Sequence, residues 1–202
     1  MVSLSGRLAF RTFCAGFLAI TAGLGWLASP AGAEPVVISA FNQPLLFAYG
    51  TWENKAAVEN SRLGIHGVNG KGGGGCNVQL DLAAHAELMP ALRLRVGEGN
   101  QAGTIILILK DASENEASWR FPLPAPGPNA VTVLPGSGGL LAEPDSLSKG
   151  GRFDLAHIAQ WLIGGDWTDK PVDVDVERIV LLSEEDDPAV VQARQARQDR
   201  IE

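Results

Sequence analysis

Apolar and polar residues alternate with a period of two along most of this chain, in short runs separated by Gly, Pro, Asn and Asp. Such runs mark antiparallel strands with one face covered and the other in water. Leu63 and Ile65 alternate with Arg62 and His66, and Val78, Leu80 and Leu82 alternate with Asn77, Gln79 and Asp81. Leu92, Leu94 and Val96 alternate with Arg93 and Arg95; Trp119, Phe121 and Leu123 alternate with Ser118 and Arg120. Thr104 to Leu109 (TIILIL) is apolar at both parities, which predicts a central strand covered on both faces. Further strands are predicted at 36–40, 45–49, 131–134, 158–163 and 172–182. In the last, Val172, Val174 and Val176 share one parity and Ile179 and Leu181 the other, so a bulge is expected near Glu177 and Arg178. About nine or ten short strands with almost no helical pattern predict an all-β fold, an antiparallel β-sandwich or barrel.

The connections carry their own signals. Residues 67–82, GVNGKGGGGCNVQLDL, spell G-x-G-x-x-G from Gly70 to Gly75. A dinucleotide fingerprint needs a helix after its glycines, and CNVQLDL reads as a strand. A P-loop needs Ser or Thr after Gly-Lys, whereas Gly72 follows Lys71. Residues 69–75 are therefore expected to be a flexible connection between two sandwich strands. Pro122 to Gly151 is long and rich in Pro and Gly, the composition of a functional or mobile loop. After Glu184, Glu185, Asp186 and Asp187, the run from Pro188 reads as a short helix. Acids precede its start, Pro stands at its first position, and Arg194, Arg197 and Arg200 lie toward its end.

The first residues change the picture of where the protein works. Arg7 and Arg11 precede an apolar stretch from Phe13 to Leu27, followed by Ser29-Pro30-Ala31-Gly32-Ala33, the plan of a secretory signal peptide. Cleavage is expected after Ala33, with export to the periplasm or the medium. Cys14 lacks the small and aliphatic neighbours of a lipoprotein site. The expected organisation is a signal peptide at 1–33, a β-sandwich at 34–183, and an acidic linker with a helix or tail at 184–202. No other segment is apolar enough for a membrane span. Of the 16 Lys and Arg, two sit in the leader, so 14 face 23 Asp and Glu after cleavage, a net charge of about −9. That surface disfavours nucleic acid and anionic lipid. Cys76 is the only cysteine left, which excludes an internal disulfide; a buried small residue is its expected role. His66, His85 and His157 are too scattered for a zinc site by spacing.

From Leu63 to Leu123 the order is a glycine-rich turn, a strand ending in Asp81-Leu82, the Leu92–Val96 strand, Gly99-Asn100, an apolar strand ending in Lys110-Asp111, and SWRFPL. FDLAHIAQWLIGGDW then leads to PVDVDVERIVLL. This resembles the galactose-binding-like jelly rolls found in carbohydrate-binding modules of exported bacterial proteins, over about residues 35–183. One departure is that Asp111 is followed by Ala112-Ser113-Glu114, where the family usually has a nearby Gly. The resemblance implies a glycan or cell-envelope component as partner and no cofactor. It allows a structural calcium, for which Asp111, Asp173, Asp175 and Glu177 are oxygen donors of suitable type, although no calcium-loop spacing is present.

A glycan site needs planar apolar surface and side-chain hydrogen bonds. Trp119 and Trp161 share parity with core residues, whereas Trp52 and Trp167 follow turns and are the candidate sugar platforms; the alternative is that their rings cover one end of the sandwich. Gln79, Asp81, Arg93, Arg95 and Arg120 are candidate polar contacts if they share one sheet face. The alternative for them is a solvated face with cross-strand ion pairs. No G-x-S-x-G elbow occurs, Tyr49 is the only tyrosine, and the acids lie in strands and tail, so catalytic residues are not assigned. The expectation is an exported, non-catalytic sugar-binding module. Alternatives are an envelope structural or protein-interaction domain without a sugar site, and a small polysaccharide lyase or hydrolase.

Overall fold

The computed structural model describes residues 35–53, 55–68, 70–148, 152–168 and 170–202. The expected signal peptide, Cys14 and the cleavage site lie outside them. Two antiparallel sheets pack face to face. The first has the order β3 (Ala56–Glu59), β4 (Arg62–Val68), β12 (Val172–Leu182), β6 (Met89–Val96), β9 (Val131–Val133). In it β1 (Val36–Ser39) pairs with β12 at Ile179–Leu181, beyond the stretch that pairs with β4. The second sheet has the order β10 (Ser146–Leu147), β8 (Glu116–Pro122), β7 (Thr104–Asp111), β11 (Ile158–Asp166), β5 (Lys71–Leu80), β2 (Phe47–Gly50). The fold is an all-β sandwich with one C-terminal helix.

Alternation decides which side chains enter the core. Leu63, Ile65, Leu92, Leu94, Val174 and Val176 from the first sheet meet Ile105, Leu107, Leu109, Trp119, Phe121 and Ile163 from the second, and all are buried. Fully burying an aliphatic or aromatic side chain contributes about 1.5–3 kcal/mol, so this layer dominates stability. The register of β12 against β6 shifts between Val176 and Arg178. That bulge lets Ile179 and Leu181 keep facing the core despite their opposite parity.

The same bulge turns Val180 and Leu182 outward, where they join Met89 and Ala91 in an apolar patch on the outer face of the first sheet. Helix α1 (Pro188–Ile201) covers it through Val190 and Ala193. The Asp187 carboxylate accepts from the Ala189 N–H at 2.8 Å, and Pro188 fills the first turn, so the helix start is capped as its sequence predicts. Arg197 pairs with Glu143 at 3.1 Å and Arg194 with Glu184 at 2.6 Å. The Pro122–Gly151 segment, over its described residues, packs against the sandwich: Leu140 and Leu141 are buried, and Trp119 Nε1 donates to the Leu140 carbonyl at 3.1 Å.

Two expectations need correction. Gly72 to Gly75 are not a flexible connection; they lie within β5, paired with β2 on one side and β11 on the other. Glycine is required there by space, because a Cβ on Gly75 would stand 2.1 Å from the Trp161 carbonyl oxygen and one on Gly72 2.6 Å from Trp52 Cδ1. TIILIL is central in its sheet, but only Ile105, Leu107 and Leu109 are buried; Ile106 and Ile108 are half-buried on the outer side. Helix α1 packs on the first sheet and leaves that side uncovered by it.

Candidate functional site

The two tryptophans expected as platforms are inside the molecule. Trp52 is 0% and Trp167 5% exposed, and the two rings stack at 5.5 Å with planes 7° apart. Trp167 Nε1 donates to the Thr104 carbonyl. Gly72 has no side chain, which leaves room for the Trp52 ring beside β5. Neither indole offers a face to a ligand, so the reading of them as platforms is corrected: they close the sandwich.

The five polar candidates divide between two outer faces. Arg93 and Arg95 stand on β6 of the first sheet, whereas Gln79 and Arg120 stand on β5 and β8 of the second, with Asp81 just beyond β5. Parity fixes inside against outside, but it does not say to which sheet a strand belongs. On the first sheet, Asp173, Asp175 and Glu177 alternate along β12, flanked by bases from both neighbouring strands. Arg95 Nε meets Asp175 at 3.1 Å and Arg93 Nε meets Glu177 at 3.2 Å. His66 bridges Asp173 at 2.7 Å and Asp175 at 3.1 Å, and the Gly99 N–H donates to Asp173 at 3.1 Å. These groups satisfy one another in a cross-strand ladder.

The suggested calcium donors do not converge. Asp111 is on the second sheet, buried, and its carboxylate accepts from the N–H groups of Ser113, Asn115 and Asp154 and from the Asn115 amide, at 2.8–3.0 Å. Burial alone would push its pKa up; the Asn115 amide and the three backbone donors outweigh this and hold it below the usual carboxylate range. Among the described residues no group of three or more His, Cys, Asp or Glu is placed to hold a metal ion.

The outer face of the second sheet is different in kind. Phe47 and Tyr49 project from edge strand β2 and lean over β5. A Cβ on Gly73 would lie 2.9 Å from the Tyr49 hydroxyl oxygen and 3.0 Å from its Cε1, and one on Gly75 would lie 3.1 Å from Phe47 Cζ. The Tyr49 hydroxyl reaches as far as Gly164 of β11, 3.6 Å from the Cβ position there. The glycine run thus seats two aromatic rings on bare backbone, while Tyr49 keeps 41% exposure. Burial, and then Glu116, push the Tyr49 phenol up, partly offset by Lys110, so it is a neutral donor at ordinary pH.

Beyond the rings the same face becomes polar. Gln160 Nε2 donates to Asn77 Oδ1 at 2.9 Å, and Lys110 pairs with Glu116 at 3.0 Å. A groove of about 780 Å³ opens here, lined by Asn77, Gln79, Asp81, Lys110, His157 and Gln160 among others. His157 lies at its rim, its Nδ1 2.8 Å from Asp154; that hydrogen bond, the Asp154 charge and then Asp81 raise its pKa. Of the expected polar contacts, Gln79 and Asp81 therefore share this groove, Arg120 stands across the same face, and Arg93 and Arg95 are elsewhere. Tyr49, Phe47, Asn77, Lys110 and Gln160 were not singled out by sequence. The sequence signal for the two rings was the shared parity of Phe47 and Tyr49; their place beside the glycine run comes from the β2–β5 pairing.

No protein-family model matches this chain, and no curated protein matches it. Part of it is similar to two solved structures. One, described as the structure of PfGH50B, is 16% identical with a TM-score of 0.45, over 62% of this chain and 21% of that one. The other, described as the crystal structure of an agarase, AgWH50C, is 10% identical with a TM-score of 0.45, over 74% of this chain and 24% of that one. This chain spans about a fifth to a quarter of the length of those structures.

Proposed function

We propose that this protein is an exported, non-catalytic module that binds a polysaccharide on the outer face of its second sheet. The observation that carries the reading is the Tyr49 ring, seated on the backbone of Gly73 and open to solvent in line with the Asn77–Gln160 amide pair. A sugar presents an apolar ring face and a rim of hydroxyls. A flat aromatic beside amides offers the complement to both. The signal-peptide pattern of residues 1–33 supports export, and the acidic composition supports a partner other than nucleic acid.

Affinity electrophoresis of the mature protein in gels containing agarose, xylan or mixed-linkage β-glucan tests the reading. Retardation by at least one polysaccharide, abolished by Tyr49→Ala with the fold intact by circular dichroism, is the expected result. No retardation in any gel, or retardation unaffected by Tyr49→Ala, overturns it.

A further inference from the structure

Past Lys71, the outer-facing positions of β5 run in the order Gly73, Gly75, Asn77, Gln79. Tyr49 roofs the first and Phe47 the second, the third is bridged to Gln160, and the fourth opens into the groove. Because side chains on one face recur every two residues, these four positions span about 20 Å along the strand. The rings fill the depression left by the glycines, so aromatic surface passes into amide surface along one line. Crossing the strands instead, the row through Gly75 meets Leu162, Ile108 and Ser118, with no amide on the way. The side chains that form this line, Tyr49, Phe47, Asn77, Gln79 and Gln160, carry no charge; Lys71 stands past its Tyr49 end and Asp81 past its Gln79 end, and beside it Lys110 pairs with Glu116 and His157 with Asp154.

We infer, resting on the glycan-binding reading, that the ligand is an uncharged linear polysaccharide bound lengthwise along β5 through several contiguous subsites, so that an internal stretch of chain is recognised rather than a terminal sugar. A single sugar covers one step of this line. A longer chain gains aromatic contact at the Tyr49 end and hydrogen bonds at the Gln79 end together.

The test is calorimetric titration of the mature protein with an oligosaccharide ladder, from disaccharide to hexasaccharide, made by partial hydrolysis of whichever of agarose, xylan or β-glucan retards it. Affinity is expected to rise by at least about tenfold along the ladder. Gln79→Ala is expected to lose more affinity for the hexasaccharide than for the disaccharide, with Arg95→Ala, on the opposite outer face, unchanged throughout. Equal affinity for disaccharide and hexasaccharide, or equal losses from Gln79→Ala at every length, overturns the lengthwise site while leaving glycan binding standing. Absence of retardation by all three polysaccharides overturns both.

Discussion

Tyr49 lies over Gly73 so closely that a Cβ on that glycine would be 2.9 Å from the tyrosine hydroxyl oxygen. The pairing explains why a strand interior tolerates four consecutive glycines despite their entropic cost of about 0.5–1 kcal/mol each. Their outer faces accept aromatic rings, and their inner faces accept Trp52 and Leu45.

The glycines should therefore differ sharply in their response to alanine. At Gly75 an added methyl meets the Trp161 carbonyl oxygen at 2.1 Å, backbone that cannot move without breaking the β5–β11 ladder. At Gly103 nothing lies within 4 Å. Gly75→Ala is expected to cost about 1–3 kcal/mol, the usual range for overpacking, and Gly103→Ala well under 1 kcal/mol. Urea denaturation of both variants checks this; equal midpoints would mean that the glycine strand is not packed as described.

Arg95 belongs to a ladder of ions on the first sheet, away from the glycan surface proposed on the second. Its side chain is 43% exposed and pairs with Asp175, a cross-strand arrangement that solvent and salt screen. Arg95→Ala should lower stability only slightly, and less in high salt, while leaving retardation in polysaccharide gels as it was. A large loss of glycan binding would move the site to the first sheet.

How much of this could be read from sequence depends on the range of the signal. Period-two runs located the main strands, and the parity change in 172–182 located the bulge, because both are set by neighbours within a few residues. The division of Arg93 and Arg95 from Gln79 and Arg120 was illegible, since strand order joins residues such as Gly75 and Trp161 that lie far apart in the chain. Trp52 was misread for a related reason. A turn usually exposes its residues, but here the missing side chain of Gly72 leaves space for the ring. The same glycines were read as a loop because local propensity places Gly in turns, while tertiary packing placed these in a strand.

Asp111 ties the β7–β8 turn to the segment that carries His157, at the margin of the groove. Its pKa is held below the ordinary carboxylate value by the donors around it. A depressed folded-state pKa stabilises above the unfolded value of about 3.9 and ceases to do so as pH falls through the folded value. Asp111→Ala leaves several donors unsatisfied and should cost about 1–3 kcal/mol near neutral pH. Urea midpoints of wild type and variant, measured across the acid range, should draw together as pH falls from about 4 through the lower folded-state value. A constant difference at every pH would show that charge on Asp111 contributes nothing.

The buried residue of helix α1 lies in its first turn. Val190 is 2% exposed and sits on the patch formed by Met89, Ala91, Val180 and Leu182. Placing a carboxylate there strands a charge on apolar surface, so Val190→Asp should release the helix instead of burying the ion. Chain ending at Asp187 should behave alike. Both variants are expected to bind a hydrophobic dye that the wild type does not, because the uncovered patch reaches water. Both should unfold at lower urea concentration, yet keep their retardation in polysaccharide gels, since the helix covers the first sheet and Tyr49 stands on the second. Loss of retardation with the β-sheet spectrum intact would tie the helix to the ligand face and contradict the separation of the two outer surfaces.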